Sequence, residues 1–146
     1  MKKFGCRCFR GKFIMVKAYL EHLHKNYRCK LFPPISDGVA DKYSVIGEYY
    51  ELLQISNGLV CNGVEIFGCA PVVRENKGYT LPDTESVTER FVRYDFFRHK
   101  IIIGQMPESL IYYNIENGVY GISDRINFAP LAEFDSLLEL LKSFLG

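Results

Sequence analysis

The chain has no tryptophan and, among 146 residues, only three histidines. Scarce histidine leaves little material for acid–base relays or metal cages, which draw on imidazole more than on any other group. Long apolar runs are also missing. The longest, Phe13 to Val16 and the Ile101–Ile103 triplet, fall far below the ~20 residues that cross a bilayer. No acid occurs before Glu21, and the basic start carries no apolar segment behind it, so it is a poor secretory signal. These absences predict a cytoplasmic protein. Also missing are a G-x-S-x-G elbow, a Walker A loop, a G-x-G-x-x-G turn opening a helix, and any internal repeat or low-complexity stretch.

Apolar residues make up 48% of the chain and aromatics 14%, with ten Tyr and eleven Phe. That suffices for one core without disulfides or metal, at the length of one domain. Five cysteines, Cys6, Cys8, Cys29, Cys61 and Cys69, are an odd number without the spacing of a secreted framework, which predicts reduced thiols. Cys61 and Cys69 read as small core hydrophobes. The one metal-like set, Cys6, Cys8, His22, His24 and Cys29, is spaced C-x-C and H-x-H, which does not close two ligands around zinc. No metal, cofactor or catalytic residue is assigned.

Net charge is +1, unevenly spread: residues 1–30 hold nine Lys or Arg against one acid, and the remainder is acidic. Residues 1–12 read as a basic, flexible, solvated tail and 13–146 as one domain. Charge alone gives weak, salt-sensitive binding, so nucleic acid is not the expected partner. Met15 is an alternative start, which an intact mass would decide.

Helical spacing begins after Met15, with Val16, Leu20, Leu23 and Tyr27 on one stripe. Phe32-Pro33-Pro34 and Ser36-Asp37-Gly38 predict a loop. A second helix is expected over 43–55, with Ile46, Tyr49 or Tyr50, and Leu53 inward, stopped by Ser56-Asn57-Gly58. Gly63 to Gly68 alternates like a strand, and 71–83 reads as mostly loop. Asp83 or Thr84 is placed to cap a third helix through Val87, Phe91 and Tyr94; a strand over 90–97 is the alternative for part of 84–97. Within it, Phe91 to Arg98 interleaves aromatic and basic residues, which reads better as an amphipathic element than as an RNA surface. Lys100 to Gly104 predicts a buried strand. Leu110–Ile115 and Val119–Ile122 flank Asn117-Gly118, the dipeptide of a type I′ hairpin. Pro130, followed by Leu131, Phe134, Leu138, Leu141 and Leu145, predicts a terminal helix. The fold expected is α+β: one twisted, mainly antiparallel sheet with about four helices packed on it.

Ile46 to Gly58, IGEYYELLQISNG, resembles the helix and Asn-Gly signature of the SUKH superfamily, the SMI/KNR-like immunity proteins, and within it the YrhA-like branch. Tyr50, Leu53, Asn57 and Gly58 match that pattern, and Ile66-Phe67-Gly68 the strand after it. Ile101 to Gly104 resembles the family's central strand, Leu110 to Ile122 its hairpin, and Phe134 to Leu145 its last helix. The likeness runs over about 15–145 in the same order. Two departures stand out: Val45-Ile46-Gly47-Glu48 replaces a Leu-Pro, and Asn114 an Asp. The resemblance implies a SUKH-like fold and a non-catalytic antitoxin that binds a cognate bacterial toxin, nucleases among them. A regulatory scaffold for cell-wall or stress signalling is the other implied role. A hydrolase using acids such as Glu85 and Asp95 ranks last.

Nuclease toxins tend to be basic, so the acidic body is the expected contact surface. The candidates are Glu65, Glu85, Glu89, Asp95 and Glu108, with Tyr79 and Tyr112 as aromatic anchors. Asn57, Gly58, Gly104, Asn117 and Gly118 are read as structural turn residues. The expected state is a monomer or weak homodimer, without small-molecule cofactor or membrane.

Overall fold

A computed structural model describes residues 2–34, 40–74 and 79–146, with side chains from residue 15 onward except at 73, 74 and 79. Helix α1 spans Lys2–Tyr27. It buries Val16, Leu20 and Leu23, as their spacing predicts, while Tyr27 lies exposed at its end. The stretch expected to be a tail, 2–12, has helical backbone. Once the amphipathic part nucleates a helix, each added residue gains a hydrogen bond at little cost.

Strand β1, Lys30–Leu31, follows. The Ser36-Asp37-Gly38 loop lies outside the described residues. A 3₁₀ turn, Asp41–Ile46, then meets helix α2, Glu48–Ile55, at Gly47, whose φ of 55° breaks the single helix expected there. The inward tyrosine is Tyr49, whose hydroxyl donates to the Phe67 carbonyl at 2.5 Å. Strands β2, Leu59–Cys61, and β3, Val64–Ile66, form a tight hairpin whose two-residue loop is Asn62-Gly63 at φ 48° and 85°. The type I′ loop is therefore here. Asn117-Gly118 lies in a longer loop closed by Gly118 N donating to Asn114 O and Asn114 N donating to Val119 O.

Strands β4, Val72–Arg74, and β5, Tyr79–Leu81, pair where the sequence reads as loop, because three-residue strands are too short for a visible alternation. Helix α3, Thr84–Phe91, starts at Asp83, which accepts from Ser86 N at 3.0 Å, and a 3₁₀ turn, Asp95–Phe97, follows. The strand alternative for 90–97 is thereby excluded. Strands β6, Lys100–Met106, β7, Ser109–Asn114, β8, Tyr120–Asp124, and β9, Pro130–Phe134, form a meander. Helix α4, Leu137–Leu145, closes the fold. It starts seven residues later than Pro130 promises. Residues 130–134 instead pair with β8, and Ser136 supplies the cap by accepting from Glu139 N.

The main sheet is antiparallel, with order β1-β2-β3-β6-β7-β8-β9. Register divides its faces. Leu59, Ile66, Gly104, Ile111, Ile122 and Ala132 stand opposite one another in one row, and Val60, Glu65, Gln105, Leu110, Ser123 and Pro130 in the next. The first row faces α1, α2 and α4 and holds the larger core. The second faces α3 and a smaller core of Phe67, Leu81, Val87, Phe97, Ile102, Leu110 and Tyr112. Gly104 must lack a side chain: a Cβ there would stand 2.4 Å from the Glu65 carbonyl oxygen.

The expectation of reduced thiols is overturned for one pair. Cys29 and Cys61 form a disulfide with Cα atoms 4.5 Å apart, both buried. Pairing of Lys30 with Val60 and Leu31 with Leu59 places residue 29 opposite 61, a proximity that spacing in sequence does not reveal. Cys69 is free and half-buried.

Candidate functional site

Helices roof the first sheet face, whereas α3 and its following turn cover only part of the second. The uncovered part is bounded by the turn joining β8 to β9. Here Asp124 folds the chain back on itself: its carboxylate accepts from Ile126 N at 2.8 Å and Asn127 N at 3.0 Å. Those two amides, Asn127 first, hold the carboxyl below its ordinary pKa. Asn127 Oδ1 accepts in turn from Ala129 N.

Phe128 has φ 62°, a costly conformation for a bulky side chain. Its ring packs edge-on against Phe97 at 4.9 Å, Tyr94 at 5.1 Å and Phe91 at 5.9 Å between centroids. Those contacts hold the strained backbone in place. The turn thereby sends three neighbouring side chains in different directions. Phe128 enters the aromatic cluster, Ile126 stands out with 87% of its surface exposed, and Arg125 turns toward the sheet. Tyr94 and Val92, also exposed, flank the cluster, with the Arg93 guanidinium 5.0 Å from the Tyr94 ring centre.

On the other side of Arg125 lies a half-open trough of about 240 Å³, lined by Gly63, Glu65, Gln105, Met106, Pro107 and Arg125. Gln105 Nε2 donates to Glu65 Oε1 at 2.7 Å, and Gln105 Oε1 accepts from Arg125 Nη2. The Arg125 backbone N donates to the Glu108 carbonyl at 3.0 Å, which extends the β7–β8 register by one step. Arg125 Nε and the hydroxyl of Ser123 are buried without partners.

The residues expected to bind a partner are placed unevenly. Glu65 lines the trough. Glu85 is ion-paired with Lys42, and Asp95 with Arg98 at 2.5 Å. Glu89 is exposed on α3, and Glu108 is exposed in the β6–β7 turn. Tyr112 is not a surface anchor: it is 1% exposed, its ring lying where a Cβ on Gly121 would collide. Small Gly121 opposite leaves the ring room to lie flat on the sheet. Tyr79 stands in β5, and its side chain is outside the described residues. Sequence reasoning passed over Arg125, Ile126 and Phe128. Their signal is faint, since Asp124 and Asn127 mark a turn but nothing marks a phenylalanine at positive φ.

Cys29 is occupied by Cys61, His24 Nδ1 contacts the Cys29 carbonyl at 2.9 Å and His22 contacts Asn26. Among the described residues no cluster of three metal-ligating side chains occurs. Nor is any described helix long and apolar enough to cross a membrane. No family model, curated protein or solved structure matches the chain.

Proposed function

We propose that the chain is a non-catalytic immunity protein of the SUKH kind, which neutralises a protein toxin inside the producing cell by binding it. The observation that carries this reading is the β8–β9 turn. It holds a large apolar side chain, Ile126, out in solvent on a hydrogen-bonded, strained frame beside Tyr94 and Arg93. Binding energy concentrates in Tyr, Trp and Arg residues such as Tyr94 and Arg93, and a pre-organised frame lowers the cost of ordering what it presents. The exposed acids Glu89 and Glu108, together with the paired Glu85 and Asp95, serve to steer a basic toxin and set orientation more than affinity. Supporting it from the sequence is the order of the SUKH-like motifs from Tyr50 to Leu145.

The test is co-expression with the product of the adjacent gene in a bacterial host, scored for growth, followed by binding of the purified pair. Growth is restored and a stable complex forms. Ile126→Asp lowers affinity at least about tenfold while its melting curve stays unchanged. Reversing Glu89 and Glu108 slows association and flattens its salt dependence. No protection and no complex would sink the reading.

A further inference from the structure

We propose that the trough between β3, β6 and the β8–β9 turn is a binding site for a free α-amino acid with an aliphatic or thioether side chain. The carboxylate of Glu65 and the guanidinium of Arg125 stand on one sheet face, spanned by the side-chain amide of Gln105. Opposite charges of this kind ordinarily close into a bidentate pair. Here the amide uses both of its ends to hold them, one at Nε2 and one at Oε1. The result is a row with a negative end, a neutral middle and a positive end.

A zwitterion matches that row. Its ammonium meets Glu65 and its carboxylate meets Arg125. A carboxylate has about four acceptor positions, so Glu65 takes an ammonium in addition to the partners it already has. Arg125 keeps donors to spare: only Nη2 is given to Gln105, and a guanidinium carries five N–H donors in all. The arginine is also well positioned, since its backbone N is fixed to the Glu108 carbonyl and Asp124 locks the turn behind it.

Size and walls select the rest of the ligand. A cavity of about 240 Å³ is smaller than the roughly 300–1,000 Å³ of sites for drug-sized molecules. It suits one amino acid rather than a nucleotide or a peptide segment. Met106 and Pro107 supply an apolar wall for the side chain, and at Gly63 no atom lies within 4 Å of where a Cβ would stand, which leaves that rim open. The trough opens beside the turn carrying Ile126, but the inference does not depend on any toxin.

The experiment is a titration of the full-length chain with each of the twenty L-amino acids, followed by calorimetry and by amide shifts in NMR. At least one aliphatic or thioether amino acid binds saturably with a Kd below about 1 mM, and its shifts centre on Glu65, Gln105 and Arg125. The corresponding amine without the carboxylate, and the acid without the ammonium, each bind at least about tenfold more weakly. Arg125→Gln and Glu65→Gln remove binding while melting as the parent does. These ligand-side controls use the unaltered chain, so they decide the matter even if a variant misfolds. No saturation up to 10 mM (roughly −2.7 kcal/mol), equal binding of the amine or the acid, or competition by an uncharged N-acetyl amide would overturn the proposal.

Discussion

Asn57 and Gly58 hold the passage from α2 to β2, and each does so in its own way. Asn57 Oδ1 accepts from Cys69 N at 2.8 Å and Ala70 N at 3.4 Å, while its Nδ2 donates to Ala70 O at 3.0 Å. Gly58 has φ 101°, and a Cβ there would stand 2.6 Å from the Ile66 carbonyl oxygen. Gly68 has the same constraint from the other side, because its Cβ would strike the Asn57 side chain. Gly58→Ala is expected to cost at least about 1–3 kcal/mol in urea melts, since it meets both an unfavourable φ and a backbone atom. Asn57→Ala leaves the part-buried amide of Cys69 without its acceptor and is expected to cost about 1–3 kcal/mol. A variant of either kind as stable as the parent would refute the assignment. The Asn-Gly pair is legible in sequence as a turn. That the asparagine side chain ties down residues 69 and 70 is not, because nothing local connects position 57 to a loop twelve residues on.

The β8–β9 turn is where local spacing misleads. Leu131, Phe134, Leu138, Leu141 and Leu145 step like a single helix, yet Leu131 is exposed and 130–134 is the edge strand. Two competing periods fit the same residues, and tertiary pairing with β8 decides between them. The first three strands of the meander, by contrast, are legible, because a β-branched run such as Ile101–Ile103 and two alternating segments around a turn favour strand over helix. The third helix is legible too, since Asp83 is a good cap ahead of a period that Val87 confirms by its burial. Asp124 gives this element a measurable signature. Hydrogen bonds from Asn127 N and Ile126 N lower its carboxyl pKa in the folded chain. A lowered value means that its stabilisation is complete above the ordinary carboxylate range and is lost as pH falls through the lowered pKa. Asp124→Ala is therefore expected to lower the melting temperature at neutral pH, with the difference from the parent narrowing in strong acid. A gap that is the same at pH 7 and pH 2 would show that the charge plays no part in the turn.

At the scale of the whole molecule, the larger core responds both to alkali and to reductant. The larger core holds Tyr43, whose hydroxyl is pushed up to about 12, first by burial and then by Cys69 and Asp83 nearby. Tyr49 and Tyr120 are also raised, mainly by burial. A raised pKa stabilises the fold fully below the unfolded value of about 10, and that stability is lost as pH rises through the folded value. Stability should accordingly fall between pH 10 and about 12, and Tyr43→Phe should make the fall shallower in urea melts. The link between Cys29 and Cys61, 32 residues apart, adds an independent term. Chain-entropy arguments put its loss at roughly 3–4 kcal/mol, so a dithiol reductant should lower the melting temperature, whereas a Cys61→Ser variant should not respond to it. Strands β7, β8 and β9 pair only with neighbours in sequence, whereas β6 also pairs with β3, and the apolar stripe of α1 packs chiefly against α2. During synthesis, at roughly 5–20 residues per second, Val16, Leu20 and Leu23 emerge and wait on the order of a few seconds for helix α2, which packs against them. A nascent chain of this design spends that interval offering the ribosome-associated chaperones a basic helix with one greasy side.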